Sequence, residues 1–152
     1  MIRILRRLSV ELGFEGSIGV TTPFHLQADM ITKALERDSE LRNHLELHNQ
    51  ILIDTVHKFQ GDERDVIIFS PVVSEGTKSQ SLMFLKSTGN LFNVAITRAR
   101  SLLVTVGDKQ YCKQCGVSYL EHFAEYSSGN EAPVEVSEWE HILQRALSDA
   151  IA

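Results

Sequence analysis

The sequence predicts an α/β domain in which helices cover a mainly parallel β-sheet. Apolar runs of strand length alternate along the chain with stretches whose apolar residues recur at helical spacing. One of these runs, residues 66–69, is apolar at every position, which is typical of a parallel strand that is buried on both faces. The chain has 152 residues, of which 43% are hydrophobic. It is therefore long enough to bury a core as a single domain over residues 1–152.

Four strands are predicted from the apolar runs. They cover residues 18–21, 51–56, 66–69 and 102–106. Pro23 follows the first strand and Gly107 follows the last, and both residue types interrupt regular structure. Because the strands alternate with helical stretches, we expect them to lie parallel in one sheet, with ligands bound at their carboxyl ends.

Four helices are predicted from apolar residues at intervals of three and four. They cover residues 2–12, 25–45, 92–98 and 137–152. The apolar face of the second helix is formed by Leu26, Met30, Ile31, Ala34 and Leu35. Asn90 is a candidate N-cap of the third helix, and Ser137 with Glu140 forms a capping box for the fourth. The polar residues 75–81 and 127–133 are predicted to be loops.

The net charge of −5 and the pI of about 5.6 bear on the class of protein. A domain that binds nucleic acid through bulk charge is usually basic, so any such contact here must be local or shared with another domain. No apolar run reaches the length of about 18 residues that spans a membrane. The basic N-terminus is not a signal peptide, since Arg6 and Arg7 interrupt its apolar run. We expect no membrane partner and a cytoplasmic protein.

Cys112 and Cys115 are the two cysteines of the chain. Two thiolates are too few for a four-cysteine zinc site. Three interpretations remain open. The pair consists of two reduced thiols near a helix start, or of zinc ligands shared with a histidine such as His122 or with another domain, or of a redox pair whose thiol pKa is depressed.

The stretch "DTVHKFQGDERDVIIFS", residues 54–70, places polar residues and a glycine directly before a strand too apolar to face water. A site at the edge of a sheet needs that mixture. The stretch "NVAITRAR", residues 93–100, places Arg98 and Arg100 just before another strand. These arginines either form surface salt bridges or stabilise the charge of a transferring phosphoryl group. The 152 residues contain neither GxxxxGK[ST] nor GxGxxG, so the usual phosphate loops are absent from them.

Together, "TVHKFQGDERDVIIFS" and "NLFNVAITRARSLLVTVGD" closely resemble motifs V and VI of superfamily-1 helicases. The nearest branch is the one that contains the RNA-surveillance helicase and its DNA-processing relatives. The stretch "IGVTTPFHLQADMI", residues 18–31, resembles motif IV of the same branch, and the order and spacing agree. The resemblance covers about residues 1–110. It implies a three-layer RecA-like domain of the P-loop NTPase type, namely the second, C-terminal helicase domain.

For the nucleotide, the resemblance implies a site between this domain and a first RecA-like domain that carries the Walker motifs and precedes residue 1. ATP and Mg²⁺ are the implied cofactors, and both require that first domain. Arg98 is the implied arginine finger toward the γ-phosphate. Gly61 lets the backbone approach a ligand, Glu63 lies by the ribose, and Gln60 links the nucleotide and nucleic-acid sites. Arg100 contacts the nucleotide or forms a structural ion pair.

For nucleic acid, the resemblance implies backbone contacts to a single strand of DNA or RNA. Thr55 and His57 lie near that strand and the coupling path. Thr22 and Pro23 contact the nucleic-acid backbone or form a turn after the first strand. Hydroxyl and backbone N–H donors suit phosphate contacts, which position a strand without reading its sequence.

The sequence departs from the family in one segment. Residues 87–90, "STGN", stand where the family often has basic residues, and Phe92 stands where a smaller or basic residue is usual. An accessory phosphate contact is therefore not expected there. Gln27 is interpreted as a helix-surface or cleft residue, Asn93 as a buried hydrogen-bonding residue, and Trp139 as core or docking surface.

The predicted function is therefore that of the C-terminal motor domain of an ATP-dependent nucleic-acid helicase or translocase. On its own the chain holds half of an ATP site and is expected not to hydrolyse ATP. The alternative is a degenerate RecA-like domain that binds or scaffolds without hydrolysis, which the missing phosphate loop and the acidic pI favour.

Overall fold

A computed structural model describes residues 1–127 of the chain. The predicted helix over residues 137–152, with its capping box of Ser137 and Glu140, lies outside the described residues, as do Trp139 and most of the predicted loop 127–133. The described residues divide into two compact units. The first contains Met1–Pro71 and Leu91–Val106, and the second contains Val72–Asn90 and the described residues that follow Val106.

The first unit is built on a four-stranded sheet whose strands are all parallel. In chain order the strands are β1 (Ile18–Thr22), β2 (Ile51–Thr55), β3 (Arg64–Phe69) and β4 (Ala99–Thr105). Across the sheet their order is β2-β1-β3-β4. This arrangement confirms the predicted α/β class and the parallel sheet. The side chains of β3 are buried from Val66 onward, as its apolar run predicts.

Two strands begin earlier than predicted. β3 begins at Arg64 and β4 at Ala99, so both include polar residues at their amino ends. The backbone explains the difference, because the N–H of Arg64 donates to the carbonyl of Arg98 over 3.0 Å and Arg64 pairs with Ala99 in register. Ladder hydrogen bonds of this kind leave no trace in an apolar pattern.

The N-terminal helix is present as predicted. It starts as α1 (Ile2–Arg6) and continues as a π-helical turn (Arg7–Glu11). Leu5 and Leu8 are fully buried in the core of this unit. Gly13 follows the turn with a φ of +64°, a conformation that glycine adopts without steric cost.

The predicted helix over residues 25–45 is in fact two helices, α2 (His25–Glu36) and α3 (Ser39–His48). Asp38 divides them, because its carboxylate accepts a hydrogen bond from the N–H of Leu41 over 3.2 Å and caps α3. Arg6 holds the same carboxylate at 2.7 Å. The break was missed because the apolar spacing continues across it.

The apolar face predicted for α2 is partly wrong. Leu26 and Met30 are 78% and 67% exposed, whereas Ala28, Ile31 and Leu35 are buried. The small Ala28, and not Leu26 or Met30, lies on the buried face of α2. This face packs against β1 and β2, where a small side chain allows close approach.

A crossover segment, residues 56–63, connects β2 to β3. It begins as a 3₁₀ helix (Val56–Phe59) and ends at Glu63, before the first residue of β3. β1 lies between the two strands that it connects, and all three strands are parallel. The crossover segment therefore runs from the carboxyl end of β2 back to the amino end of β3, past β1.

The helix over the start of motif VI is α5 (Gly89–Ile96), and its residues from Leu91 belong to the first unit. Asn90 lies inside this helix, so the N-cap prediction is wrong. The helix ends two residues before the predicted end. The hydroxyl of Thr97 donates to the carbonyl of Asn93 over 2.8 Å, a side-chain bond that competes with continuation of a helix.

The second unit is helical in its described part, with α4 (Ser79–Ser87), α6 (Lys109–Cys112) and α7 (Ser118–Tyr126). Tyr119 of α7 donates its hydroxyl to the carbonyl of Leu85 in α4 over 2.8 Å. The predicted loop 75–81 overlaps the first turn of α4, whose polar residues hid the helix. Within residues 1–127, no helix combines the length and the apolar character needed to cross a bilayer.

Candidate functional site

The candidate residues lie at two opposite edges of the parallel sheet. The residues assigned to nucleotide precede β3 or flank the start of β4, and they are Gln60, Gly61, Glu63, Arg98 and Arg100. The residues assigned to nucleic acid end β1 and β2 or follow them, and they are Thr22, Pro23, Thr55 and His57. The expectation that ligands bind at carboxyl ends therefore covers only the second group. We call the two groups the amino edge and the carboxyl edge.

Arg98 is the half-buried residue that precedes β4 at the amino edge. Its Nη2 donates to the hydroxyl of Thr97 over 3.1 Å. Its Nε is buried and has no hydrogen-bond partner among the described residues. Buried N–H groups are paired in most folded proteins, so an unpaired one requires an explanation. Arg98 as a whole is only partly buried, and a guanidinium of this kind can bind an anion.

Arg100 forms ion pairs at the same edge. Its Nε lies 3.4 Å from Oε2 of Glu63, and its Nη1 lies 3.8 Å from Oδ1 of Asp65. The side chains of Arg100 and Glu63 are 58% and 50% exposed. Exposed pairs of this kind contribute on the order of 0–1 kcal/mol, so a ligand can displace the pair at little cost.

Asp65 is a member of the amino edge that sequence reasoning missed. Its Oδ2 accepts hydrogen bonds from the backbone N–H of Ser17 over 2.8 Å and from the hydroxyl of Ser17 over 2.6 Å. These bonds hold the pKa of the Asp65 carboxyl below its ordinary value, and Arg100 adds to the effect. The signal in the sequence is an acidic residue directly before an apolar strand, since burial there demands partners.

Arg64 is a second member of the amino edge that sequence reasoning missed. Its Nη2 donates to Oδ2 of Asp62 over 2.8 Å, and its Nε is buried without a partner among residues 1–127. The amino edge thus carries the three guanidinium groups of Arg64, Arg98 and Arg100. Two of the three keep a buried N–H that nothing in the described chain satisfies.

Gly61 and Gln60 are exposed residues of this edge. Gly61 has a φ of +84°, and a Cβ built on it would meet no atom within 4 Å. The backbone conformation, and not crowding within the chain, therefore requires glycine here. The space above Gly61 leaves the backbone open to a ligand.

At the carboxyl edge, Thr22 and Thr55 are partners in register on neighbouring strands. Both are buried, with 0% and 1% of their surface exposed. Thr22 Oγ1 accepts from the N–H of Phe24 over 3.5 Å, and Thr55 Oγ1 donates to Asp54 over 3.3 Å. Both hydroxyls therefore bond to near neighbours in the chain. His57 is exposed and is the residue of this group that faces solvent most openly.

One prediction for motif VI is wrong. Asn93 was interpreted as buried, but it is exposed on α5. Phe92 is the buried neighbour, and its ring lies against Phe69 of β3 with ring centroids 5.7 Å apart in an edge-to-face arrangement. Phe92 is therefore a core residue.

The cysteines lie in the second unit and are both buried free thiols. Burial, followed by the proximity of Cys115, raises the pKa of Cys112 to about 11. A redox pair needs the opposite shift, because the thiolate is the reactive form. Within the described part of the chain, no group of three or more His, Cys, Asp and Glu side chains is arranged to hold a metal ion.

The chain is similar to helicases from several eukaryotes, and it matches a family described as AAA domain over residues 1–110. It is 38% identical over 116 residues to the DNA polymerase alpha-associated DNA helicase A of Saccharomyces cerevisiae. The aligned residues cover 76% of this chain and 16% of that protein. It is 37% identical over 117 residues to Regulator of nonsense transcripts 1 of Dictyostelium discoideum, covering 75% and 8%.

A third relative is Helicase sen1 of Schizosaccharomyces pombe, with 36% identity over 103 residues that cover 68% of this chain and 6% of the relative. The chain thus spans less than a fifth of the length of each of these relatives. Its parallel sheet has the α/β RecA-like architecture that motifs IV to VI imply. The chain therefore belongs to the AAA domain family, and its motifs match the C-terminal region of superfamily-1 helicases.

Proposed function

We propose that this chain is the C-terminal motor domain of an ATP-dependent nucleic-acid helicase or translocase, in which Arg98 is the arginine finger. The observation that carries the proposal is the buried Nε of Arg98, which lacks a partner within residues 1–127 at the edge formed by motifs V and VI. The names of its relatives, which include a DNA helicase and Helicase sen1, support a motor.

The amino edge fits the phosphates of ATP in donor type. Arginine guanidiniums bind phosphate oxygens through paired N–H donors, and Arg64 and Arg98 each keep one buried N–H unused. Bound ATP supplies the γ-phosphoryl group that water attacks. Arg98 stabilises the negative charge on that group in the transition state, and Glu63 and Gln60 orient the nucleotide.

Mg²⁺ does not fit the described residues by themselves, because they contain no cluster of ligands for it. We propose that the ion takes its ligands from a first RecA-like domain, which also supplies the other half of the ATP site. When these domains separate, the arginines of the amino edge are left facing solvent and hydrolysis stops.

The carboxyl edge is proposed to hold a single strand of DNA or RNA through its phosphates. Because Thr22 and Thr55 are buried, the contacts come from exposed groups such as His57 and from the backbone after Pro23. Contacts to phosphates position the strand without selecting its sequence.

The test is the ATPase activity of the natural polypeptide that contains these residues, with and without single-stranded nucleic acid. We expect Arg98→Ala to lower stimulated turnover about 10³-fold or more while the protein stays folded. Arg42→Ala is the matched control, since Arg42 is an exposed arginine that pairs with Glu46 at 3.7 Å on α3, and it should keep normal turnover.

Near-normal turnover in Arg98→Ala would show that Arg98 is not the arginine finger. Nucleic-acid binding without hydrolysis in the unaltered polypeptide would instead support the binding or scaffolding module.

A further inference from the structure

Two histidines lie four residues apart on α3, the helix that precedes β2. His44 and His48 are therefore on the same face of this helix. Their ring centroids are 4.5 Å apart, and the planes of the rings are tilted by 38°. His44 is half-buried, and the side chain of His48 is 43% exposed. Two histidines at this spacing on a helix are a recurrent pair of ligands for zinc.

The ring of His44 is held by the backbone of another element. Its Nε2 lies 3.1 Å from the carbonyl oxygen of Ser9. A carbonyl oxygen only accepts hydrogen bonds, so Nε2 carries the proton and Nδ1 keeps the lone pair of the neutral ring. Histidines that bind metals commonly donate their other ring N–H to a carbonyl or a carboxylate, which fixes the ring and its tautomer. His44 therefore has the arrangement of a metal ligand.

The ring of His48 has a carboxylate beside it. Its Nδ1 lies 3.7 Å from Oε1 of Glu15. This carboxylate attracts the ring proton to Nδ1, so Nε2 keeps the lone pair of the neutral ring. The negative charge of Glu15 also favours a cation here. His48 is the last residue of α3, and the C-terminal end of a helix favours a cation as well.

Asn49 fixes the backbone on which both histidines depend. Its Nδ2 donates to the carbonyl of Phe14 over 2.7 Å and to the carbonyl of Gly16 over 2.9 Å. These two residues flank Glu15 in the chain, so the segment that carries this carboxylate is held against the end of α3. The Oδ1 of Asn49 accepts from the hydroxyl of Ser9, whose carbonyl binds the first histidine. One amide side chain thus connects the partners of both rings.

We propose that His44 and His48 bind one divalent transition-metal ion of the Zn²⁺ class at the end of α3. Imidazole nitrogen suits Zn²⁺, Ni²⁺ and Cu²⁺, whereas Mg²⁺ takes oxygen ligands. Within residues 1–127, no group of three or more His, Cys, Asp and Glu side chains can hold a metal, so two histidines and water complete this site. Zn–N bonds are about 2.0–2.1 Å long, so the exposed ring of His48 turns toward His44 on binding.

The test is isothermal titration calorimetry of the full chain, without a purification tag, with Zn²⁺ at pH 7.5. We expect the tightest site to hold one Zn²⁺ per chain and to bind Mg²⁺ far more weakly. His44→Gln and His48→Gln should each raise the Kd for Zn²⁺ about tenfold or more, since each removes one of two protein ligands. Glu15→Gln, which removes a charge and no ligand, should raise the Kd by a smaller factor.

Two control variants locate the site, and urea unfolding without metal shows that each variant is folded. His25→Gln removes an exposed histidine of α2 and should leave the Kd unchanged. Cys112→Ala removes a buried thiol, the other class of zinc ligand, and should leave it unchanged as well. The bond of His44 to Ser9 exists only in the folded chain. Zn²⁺ should therefore raise the urea midpoint of the unaltered chain and not that of His48→Gln.

Three results would overturn the proposal. An unchanged Kd in either histidine variant would show that the two rings do not share one ion. Weaker binding in Cys112→Ala would move the site to the thiols. Binding of Zn²⁺ without a rise in the urea midpoint would show that the folded chain does not form the site. Each of these results leaves the proposed function intact, because that function uses none of the residues of this site.

Discussion

Thr21 provides a stability prediction whose sign differs from that of an ordinary core substitution. Its side chain lies in β1 with no exposed surface, and its hydroxyl has no hydrogen-bond partner among the described residues. Its register partners are Asp54 on one side and Phe69 on the other. Valine has nearly the shape of threonine and replaces the hydroxyl with a methyl group. We therefore expect Thr21→Val to stabilise the chain.

The magnitude follows from the burial of an unpaired hydroxyl, which costs about 1–3 kcal/mol. Thr21→Val removes that cost and adds one methyl group that the sheet already accommodates. We expect an increase of about 1–2 kcal/mol in the free energy of unfolding. For a chain of this length, that change corresponds to a rise of roughly 2–8 °C in Tm.

Urea unfolding of the chain measures the effect as a shift in the midpoint at constant m-value. Thr55→Val is the matched control, since Thr55 is equally buried but its hydroxyl donates to Asp54 over 3.3 Å. Loss of this hydrogen bond in Thr55→Val should leave the free energy of unfolding unchanged or lower it. An unchanged or lowered stability in Thr21→Val would contradict this prediction and would indicate that the hydroxyl of Thr21 is satisfied.

Two further predictions concern titration. The pKa of Asp65 is held down by Ser17, so its contribution to stability is complete above the ordinary value of 3.8 and is lost as pH falls through the lower folded value. Between pH 5 and pH 2, the urea concentration at the midpoint of unfolding should therefore fall less in Asp65→Asn than in the unaltered chain. An identical decrease in the two proteins would contradict this prediction. The pKa of Cys112 is about 11, so in the unaltered chain its alkylation by iodoacetamide should be slow at pH 7 and should still be accelerating at pH 10. A rate that levels off below pH 8 would support a redox thiol instead.

The parallel sheet could be predicted because β3 is apolar on both faces, and only a covered strand has that pattern. The start of β4 could not be predicted in the same way. Arg100 and Ser101 are exposed, and they belong to the strand because Ala99 and Leu102 on either side of them pair with β3. Similarly, Asp38 ends one helix and caps the next through contacts with Leu41 and Arg6 that an apolar period does not show.

The candidate residues could be identified from the order of the motifs, but their surroundings in the fold could not be predicted. Motif V reads as one stretch of sequence, yet His57 and Glu63 lie at opposite edges of the sheet because the chain must recross β1 between them. The burial of Thr22 and Thr55 and the unpaired Nε of Arg98 depend on neighbours that are distant in the sequence. The fully buried Phe59 lies so close to Gly19 that a Cβ on Gly19 would be 2.6 Å from its ring, and this contact depends on the same tertiary packing.

The role of Arg98 is tested by the single-turnover rate of ATP hydrolysis by the natural polypeptide, with ATP already bound and single-stranded nucleic acid saturating. This rate separates the chemical step from nucleotide binding. We expect Arg98→Ala to lower it about 10³-fold or more and to change ATP affinity far less, with Arg42→Ala unaffected. An unchanged single-turnover rate in Arg98→Ala would contradict the assignment of Arg98 to the γ-phosphate.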